Sequence, residues 1–105
     1  MSSTDSELSY QDSTSEESGN GTSKTAVNVL RYLGVELTQH SDRVVVQEQY
    51  EDPNRIRLTL LVDKADMGRV IGRHGKIASA IRAVVRAAGA KDGFDASVEI
   101  QERLN

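Results

Sequence analysis

The residues best placed to do chemistry are Gly72, Arg73, His74, Gly75 and Lys76, with Val70 and Ile71 before them and Ile77 after them. Glycine adopts positive φ without steric cost and lets a ligand approach the main chain closely. An amphipathic run follows Gly75. A helix starting there would turn its free N–H groups and its positive dipole end back on the glycines. Main-chain amides and basic side chains at one turn suit a phosphate backbone. The chemistry indicated is binding of a polyanion, and the expected ligand is single-stranded RNA. His74 adds a contact that would depend on pH, because imidazole titrates near neutrality.

Other chemistries fit less well. A P-loop needs Gly-x-x-x-x-Gly-Lys followed by Ser or Thr. Counting back from Gly75 puts Val70 at the first glycine, and Ile77 follows Lys76. A dinucleotide fingerprint fails at Val70 as well. The chain has no cysteine and two histidines far apart, which leaves no nucleophile–base set and no metal-ligand spacing. Asp63 and Asp66 have no partner that the sequence identifies. His40 reads as a bystander in a loop. Tyr32 and Tyr50 read as partly buried packing residues. No enzyme and no cofactor is expected.

Charge is distributed unevenly. The net charge of −3 averages an acidic start and a basic body. Residues 1–23 carry Asp5, Glu7, Asp12, Glu16 and Glu17 with no Lys or Arg. Residues 69–91 carry Arg69, Arg73, Lys76, Arg82, Arg86 and Lys91 with no Asp or Glu. A local basic field says more about partners than the net charge does. Residues 1–22 are rich in Ser, Thr, Gly, Asp and Glu, and cannot bury enough apolar surface to offset ordering entropy. They are expected to form a disordered acidic tail, with one folded domain over residues 23–105. The lack of cysteine, of a signal-peptide pattern and of a membrane-length apolar run fits a cytoplasmic protein.

The elements that would position the turn follow from periodicity. Ser23 or Thr22 would cap a helix from Lys24. Ala26, Val29, Leu30 and Leu33 keep helical spacing, and Gly34 would stop the helix. Residues 35–42 read as a connection. Residues 44–50 and 56–62 read as two strands, the second with clear alternation. The turn Glu51-Asp52-Pro53-Asn54 joins them as an antiparallel hairpin. Asp66 would cap a short helix ending at Gly72. Ile77, Ile81, Val84, Val85 and Ala88 line one face of the next helix, and Ser79, Arg82 and Arg86 another, with Gly89 as its stop. Phe94, Ala96, Val98 and Ile100 alternate as a third strand. A helical crossover makes that strand parallel to the second. The fold class is α+β, in the order α-β-β-α-α-β. Its mixed three-stranded sheet would be covered on one face by three helices.

With this order in place, Gly68-Arg69-Val70-Ile71-Gly72-Arg73-His74-Gly75-Lys76-Ile77 resembles the Gly-x-x-Gly segment of a type II KH domain. The resemblance spans about residues 24–101. More narrowly, the chain is similar to the small bacterial single-KH-domain proteins of the KhpA family. That resemblance implies an RNA chaperone or post-transcriptional regulator. KH domains clamp about four nucleotides along such a loop. It also implies bases held in an apolar groove, with Val70, Ile71 and Ile77 as wall candidates. Arg69, Arg73, His74, Lys76 and Arg82 would supply positive or donor groups beside Gly72 and Gly75. Single-site KH binding is weak, so avidity favours a homodimer or a pairing with another RNA-binding protein. The resemblance adds a heterodimer with a larger KhpB/Jag-like multidomain KH protein. A second hypothesis keeps the fold but makes the chain a protein-interaction adaptor with little RNA affinity of its own.

Overall fold

The structure, a computed structural model, describes residues 23–104. The expected acidic tail, residues 1–22, lies outside the described residues. The chain runs through α1 (Lys24–Leu37), β1 (Val45–Asp52), β2 (Arg55–Val62), α2 (Met67–Ile71), α3 (Lys76–Lys91) and β3 (Asp95–Glu102), with short 3-10 turns at Ser41–Arg43, Lys64–Asp66 and Arg73–Gly75.

Among the described residues, three strands form one sheet in the order β1-β2-β3. β1 and β2 are antiparallel around Pro53-Asn54, with Gln47 opposite Thr59 and Val45 opposite Leu61. β2 and β3 are parallel, with Leu58 beside Val98 and Leu60 beside Ile100. The period-2 pattern of β2 turns Ile56, Leu58, Leu60 and Val62 inward, and all four are fully buried. They meet Ala26, Val27 and Leu30 of α1 and Ile81 and Val85 of α3 in one core. Burial of aliphatic side chains at this density is the main source of stability in a domain with no disulfide.

Both expected helix stops are displaced, and for one reason. α1 runs through Gly34 to Leu37. A Cβ on Gly34 would lie 2.9 Å from Leu60 Cδ1 and 3.0 Å from Val44 Cγ1, so glycine here admits the sheet rather than ending the helix. α3 likewise runs through Gly89, where a Cβ would lie 2.9 Å from Ala96 Cβ. The actual stop is Gly93, at φ +80. The Phe94 N–H donates to the Gly89 carbonyl at 2.9 Å and the Gly93 N–H to the Ala90 carbonyl at 3.0 Å. That pair of bonds is a Schellman motif.

Ser23 does precede α1, but its side chain makes no cap bond. Its hydroxyl donates to Asp92 Oδ2 at 3.0 Å. The same oxygen accepts from the Thr25 N–H at 3.3 Å. Asp92, at the end of α3, therefore caps α1 from another element and ties the two helices together. Tyr32 is 64% exposed, contrary to the packing role expected of it. Tyr50 packs edge-on against Phe94 at a centroid distance of 5.7 Å.

Candidate nucleic-acid interface

The Gly72–Gly75 segment is a tight corner between α2 and α3. Gly72 ends α2 with φ +77 and ψ 172. His74 has φ +59, the one positive φ on a non-glycine among the described residues, and Gly75 has φ +73. A left-handed His costs about 1 kcal/mol, so packing on both sides must hold this corner in place. The Gly72 N–H donates to the Gly68 carbonyl at 3.0 Å and the Gly75 N–H to the Gly72 carbonyl at 3.1 Å. A Cβ on Gly72 would meet Ile77 Cγ1 at 2.6 Å, whereas one on Gly75 would meet nothing within 4 Å. The first glycine thus lets the chain fold back on Ile77, and the second keeps open space above the corner.

α3 leaves this corner with a bare N-terminus. Its N-cap, Gly75, offers no side-chain cap, and its first turn has no acidic residue. The Lys76 N–H donates to the Arg73 carbonyl, but no side chain caps the amides that follow it, and the positive dipole end at this corner favours an anion. Arg73, His74 and Lys76 are exposed around it. Among the described residues no carboxylate pairs with any of the three.

The remaining site candidates divide. Ile71 is half-buried beside Gly72. Ile77 is also half-buried and lines a groove of about 300 Å³ with Ala80 and Val84 of α3 and Leu33 and Leu37 of α1. Val70 is 0% exposed and belongs to the core. It supports α2 from beneath and has no surface for a base, which corrects its assignment to a groove wall. A five-residue helix has one face to bury, and Val70 is that face. Arg82 donates from Nε to the Val98 carbonyl at 3.2 Å, tying α3 to the edge strand β3. Arg69 places its Nε 3.2 Å from Asp66 Oδ1.

Asp66 and His40 carry a structural role that sequence reading missed. Asp66 is 1% exposed. Its side chain makes no cap bond to α2. Instead Oδ1 accepts from the Gln39 N–H at 3.0 Å. Oδ2 accepts from the His40 N–H at 2.9 Å and lies 3.1 Å from His40 Nδ1. Burial pushes this carboxyl up, but the bonds from Gln39 and His40 outweigh it and hold it below the ordinary range. Asp63 is also held low, chiefly by the Ala65 N–H, with His40 and Arg43 adding to the effect. Arg43 Nε donates to Asp63 Oδ1 at 2.9 Å. His40 is therefore no bystander. The partners lie 26 and 27 residues apart, and no local pattern announces them.

Comparison with known proteins agrees with this geometry. The family described as KhpA/KhpB, KH domain matches residues 27–100. An RNA-binding protein KhpA from Clostridium perfringens is 53% identical over 72 residues, 69% of this chain and 95% of the relative. The KhpA of Aquifex aeolicus is 36% identical over 75 residues, 71% of this chain and 94% of the relative. Among solved structures, Aquifex aeolicus Era bound to GDP and AlF4− superposes with a TM-score of 0.56 at 18% identity, covering 76% of this chain and 31% of Era. Era in complex with MgGDPNP and nucleotides 1506–1542 of 16S ribosomal RNA gives 0.54 at 20% identity, over 73% of this chain and 29% of Era. The Era likeness establishes the fold, a type II KH arrangement, and the sequence relatives establish the family. The chain belongs to the KhpA/KhpB family of KH domains.

Proposed function

We propose that the protein is a non-catalytic binder of single-stranded RNA that grips the strand at Gly72–Lys76. The observation that carries this reading is the open corner at Gly75. Arg73, His74 and Lys76, which have no carboxylate partner among the described residues, surround it, and the N-terminus of α3, which has no side-chain cap, opens onto it. Phosphates take the amides and cations, while Ile71 and the β3 edge beside Arg82 receive bases. The names of the KhpA relatives support RNA as the polyanion. With about three phosphates neutralised, log K falls with log salt with a slope near −2, at about 0.7 per single-strand phosphate. The test is a joint Arg73→Asp and His74→Asp variant in the full chain, titrated with a labelled single-stranded RNA. Both positions are exposed, so the fold survives. Binding falls more than tenfold if the corner is the site. Unchanged binding by a folded variant overturns it.

A post-transcriptional role in the cytoplasm, as an RNA chaperone, follows from this reading. Among the described residues no helix is long and apolar enough to cross a membrane. One groove binds weakly, and a second linked site raises effective concentration. The apolar groove between α1 and α3 supplies a surface for that pairing, and Val84 beside it is 48% exposed. A second copy of this chain is the occupant proposed, with a KhpB/Jag-like KH protein as the other partner of the same kind. Because the groove shares Lys76 and Ile77 with the corner, pairing would bring two RNA sites into one assembly.

A further inference from the structure

We propose that Asp66 is a positioning residue for RNA binding, whose buried carboxylate holds Arg69 through Nε and leaves the two terminal nitrogens as a preset fork for a phosphate beside the Gly72–Gly75 corner. The proposal rests on the RNA-binding reading and adds a contact and its support to it.

Among the described residues Asp66 is the one buried charged side chain. Such groups are almost never fully buried unless paired. Two main-chain donors from the connection after α1 already hold it, the Gln39 N–H and the His40 N–H, and His40 Nδ1 lies 3.1 Å from Oδ2. Those donors make the carboxylate a rigid post. Arg69 is attached to that post by one atom, Nε at 3.2 Å. No other contact of its guanidinium is found among the described residues, and its side chain is 48% exposed. With Nε held, the terminal nitrogens are left to meet the two-oxygen edge of a phosphate. Arg69 stands in the middle of α2, whose N-cap is Asp66 and whose C-cap is Gly72, so the anchored fork sits toward the N-terminal end of this five-residue helix and the corner follows its C-terminal end, a helix length of ~7.5 Å away. An exposed ion pair contributes little to stability. Ordering a long side chain before the ligand arrives improves binding instead, by lowering the entropy lost in the complex.

The sign of one substitution separates this account from simple charge. Asp66→Asn removes a negative charge near a polyanion, so charge alone predicts tighter binding. Positioning predicts weaker binding, because Arg69 loses its post. We would titrate the full chain with a labelled single-stranded RNA at several salt concentrations, using Asp66→Asn, Arg69→Ala, the double variant and Arg69→Lys. The expected result is about fivefold weaker binding for Asp66→Asn and for Arg69→Ala, as for loss of one partly exposed charged contact. The salt slope drops by about 0.7 in both, one phosphate fewer. In the Arg69→Ala background, Asp66→Asn has no further effect, since the two act as one unit. Tighter or unchanged binding by Asp66→Asn overturns the proposal, and so does an equal loss in both backgrounds, which would mark a role through Gln39 and His40 alone.

Arg69→Lys keeps the charge and leaves every main-chain tie of Asp66 intact, so it decides the matter even if Asp66→Asn does not fold. A lysine has no Nε–H plane to anchor and no fork, and about threefold weaker binding is expected. Lysine binding as well as arginine overturns the proposal. If the joint Arg73 and His74 variant abolishes binding while all of these variants are silent, this inference fails and the corner stands. If the joint variant is itself silent, the RNA site fails first.

Discussion

The two glycines of the corner should respond in opposite ways to the same methyl group. At Gly72, alanine must adopt φ +77 with ψ 172, a region populated almost wholly by glycine, which costs about 1–3 kcal/mol. Its Cβ would also lie 2.6 Å from Ile77 Cγ1, 2.8 Å from Ile77 Cβ and 2.9 Å from the Ile77 main-chain nitrogen. A rotamer change moves only the first of these, so the backbone must shift, with an overpacking cost of about 1–3 kcal/mol. Gly72→Ala is therefore destabilised by about 4 kcal/mol, most of the margin of a domain this small. At Gly75, φ is +73 and ψ 16, and a Cβ would meet nothing within 4 Å. Left-handed backbone costs about 1–2 kcal/mol, partly offset by a stiffer unfolded chain. Gly75→Ala should lose about 1 kcal/mol and stay folded, while its methyl occupies the space through which a phosphate approaches. Urea unfolding of both variants, followed by RNA titration of the folded one, reads both effects. Equal stabilities for the two variants would refute the reasoning about Ile77. A folded Gly75→Ala that binds RNA like the parent would refute the claim of close approach.

Two further outcomes are expected. Asp63 and Asp66 are held below the ordinary carboxylate value, so their stabilising contribution is complete above about pH 4 and is lost as pH falls through their folded-state values. Asp66→Asn should accordingly be less stable than the parent at neutral pH, with the gap closing in acid. A gap that stays constant with pH, measured by thermal unfolding, would contradict this linkage. Val84→Lys should leave the fold intact, because Val84 is half exposed, and should shift a self-associated species to monomer in sedimentation velocity. No shift in a chain that does self-associate would remove the α1–α3 groove as the contact between copies.

Much of this molecule is legible in its sequence. The alternation of Ile56, Leu58, Leu60 and Val62 marked the central strand because one face of a sheet is buried with period 2. A helical crossover allows few topologies, so the parallel pairing of β2 and β3 followed. The corner was readable because its chemistry is local: two glycines, two cations and an imidazole within five residues. What escaped was decided across the chain. Gly34 and Gly89 looked like helix ends because glycine is common there, yet each lies under a sheet residue that no local window contains. The true stop, Gly93, carries the same residue type and differs only in its φ. Asp66 was correctly placed before α2, but its partners Gln39 and His40 come from the far side of a hairpin. The KH resemblance implies a groove-wall role for Val70, but the short helix turns it into the core instead.

The most direct test of the central claim is an amide-resolved NMR titration of the full chain with a short single-stranded RNA. The account predicts that the largest shifts fall on Arg73, His74, Gly75 and Lys76, with smaller ones on Arg69, Ile71 and the β3 residues near Arg82. Shifts confined to the open face of the sheet, or to the groove between Leu33 and Val84, with the amides of 72–76 unmoved, would contradict it.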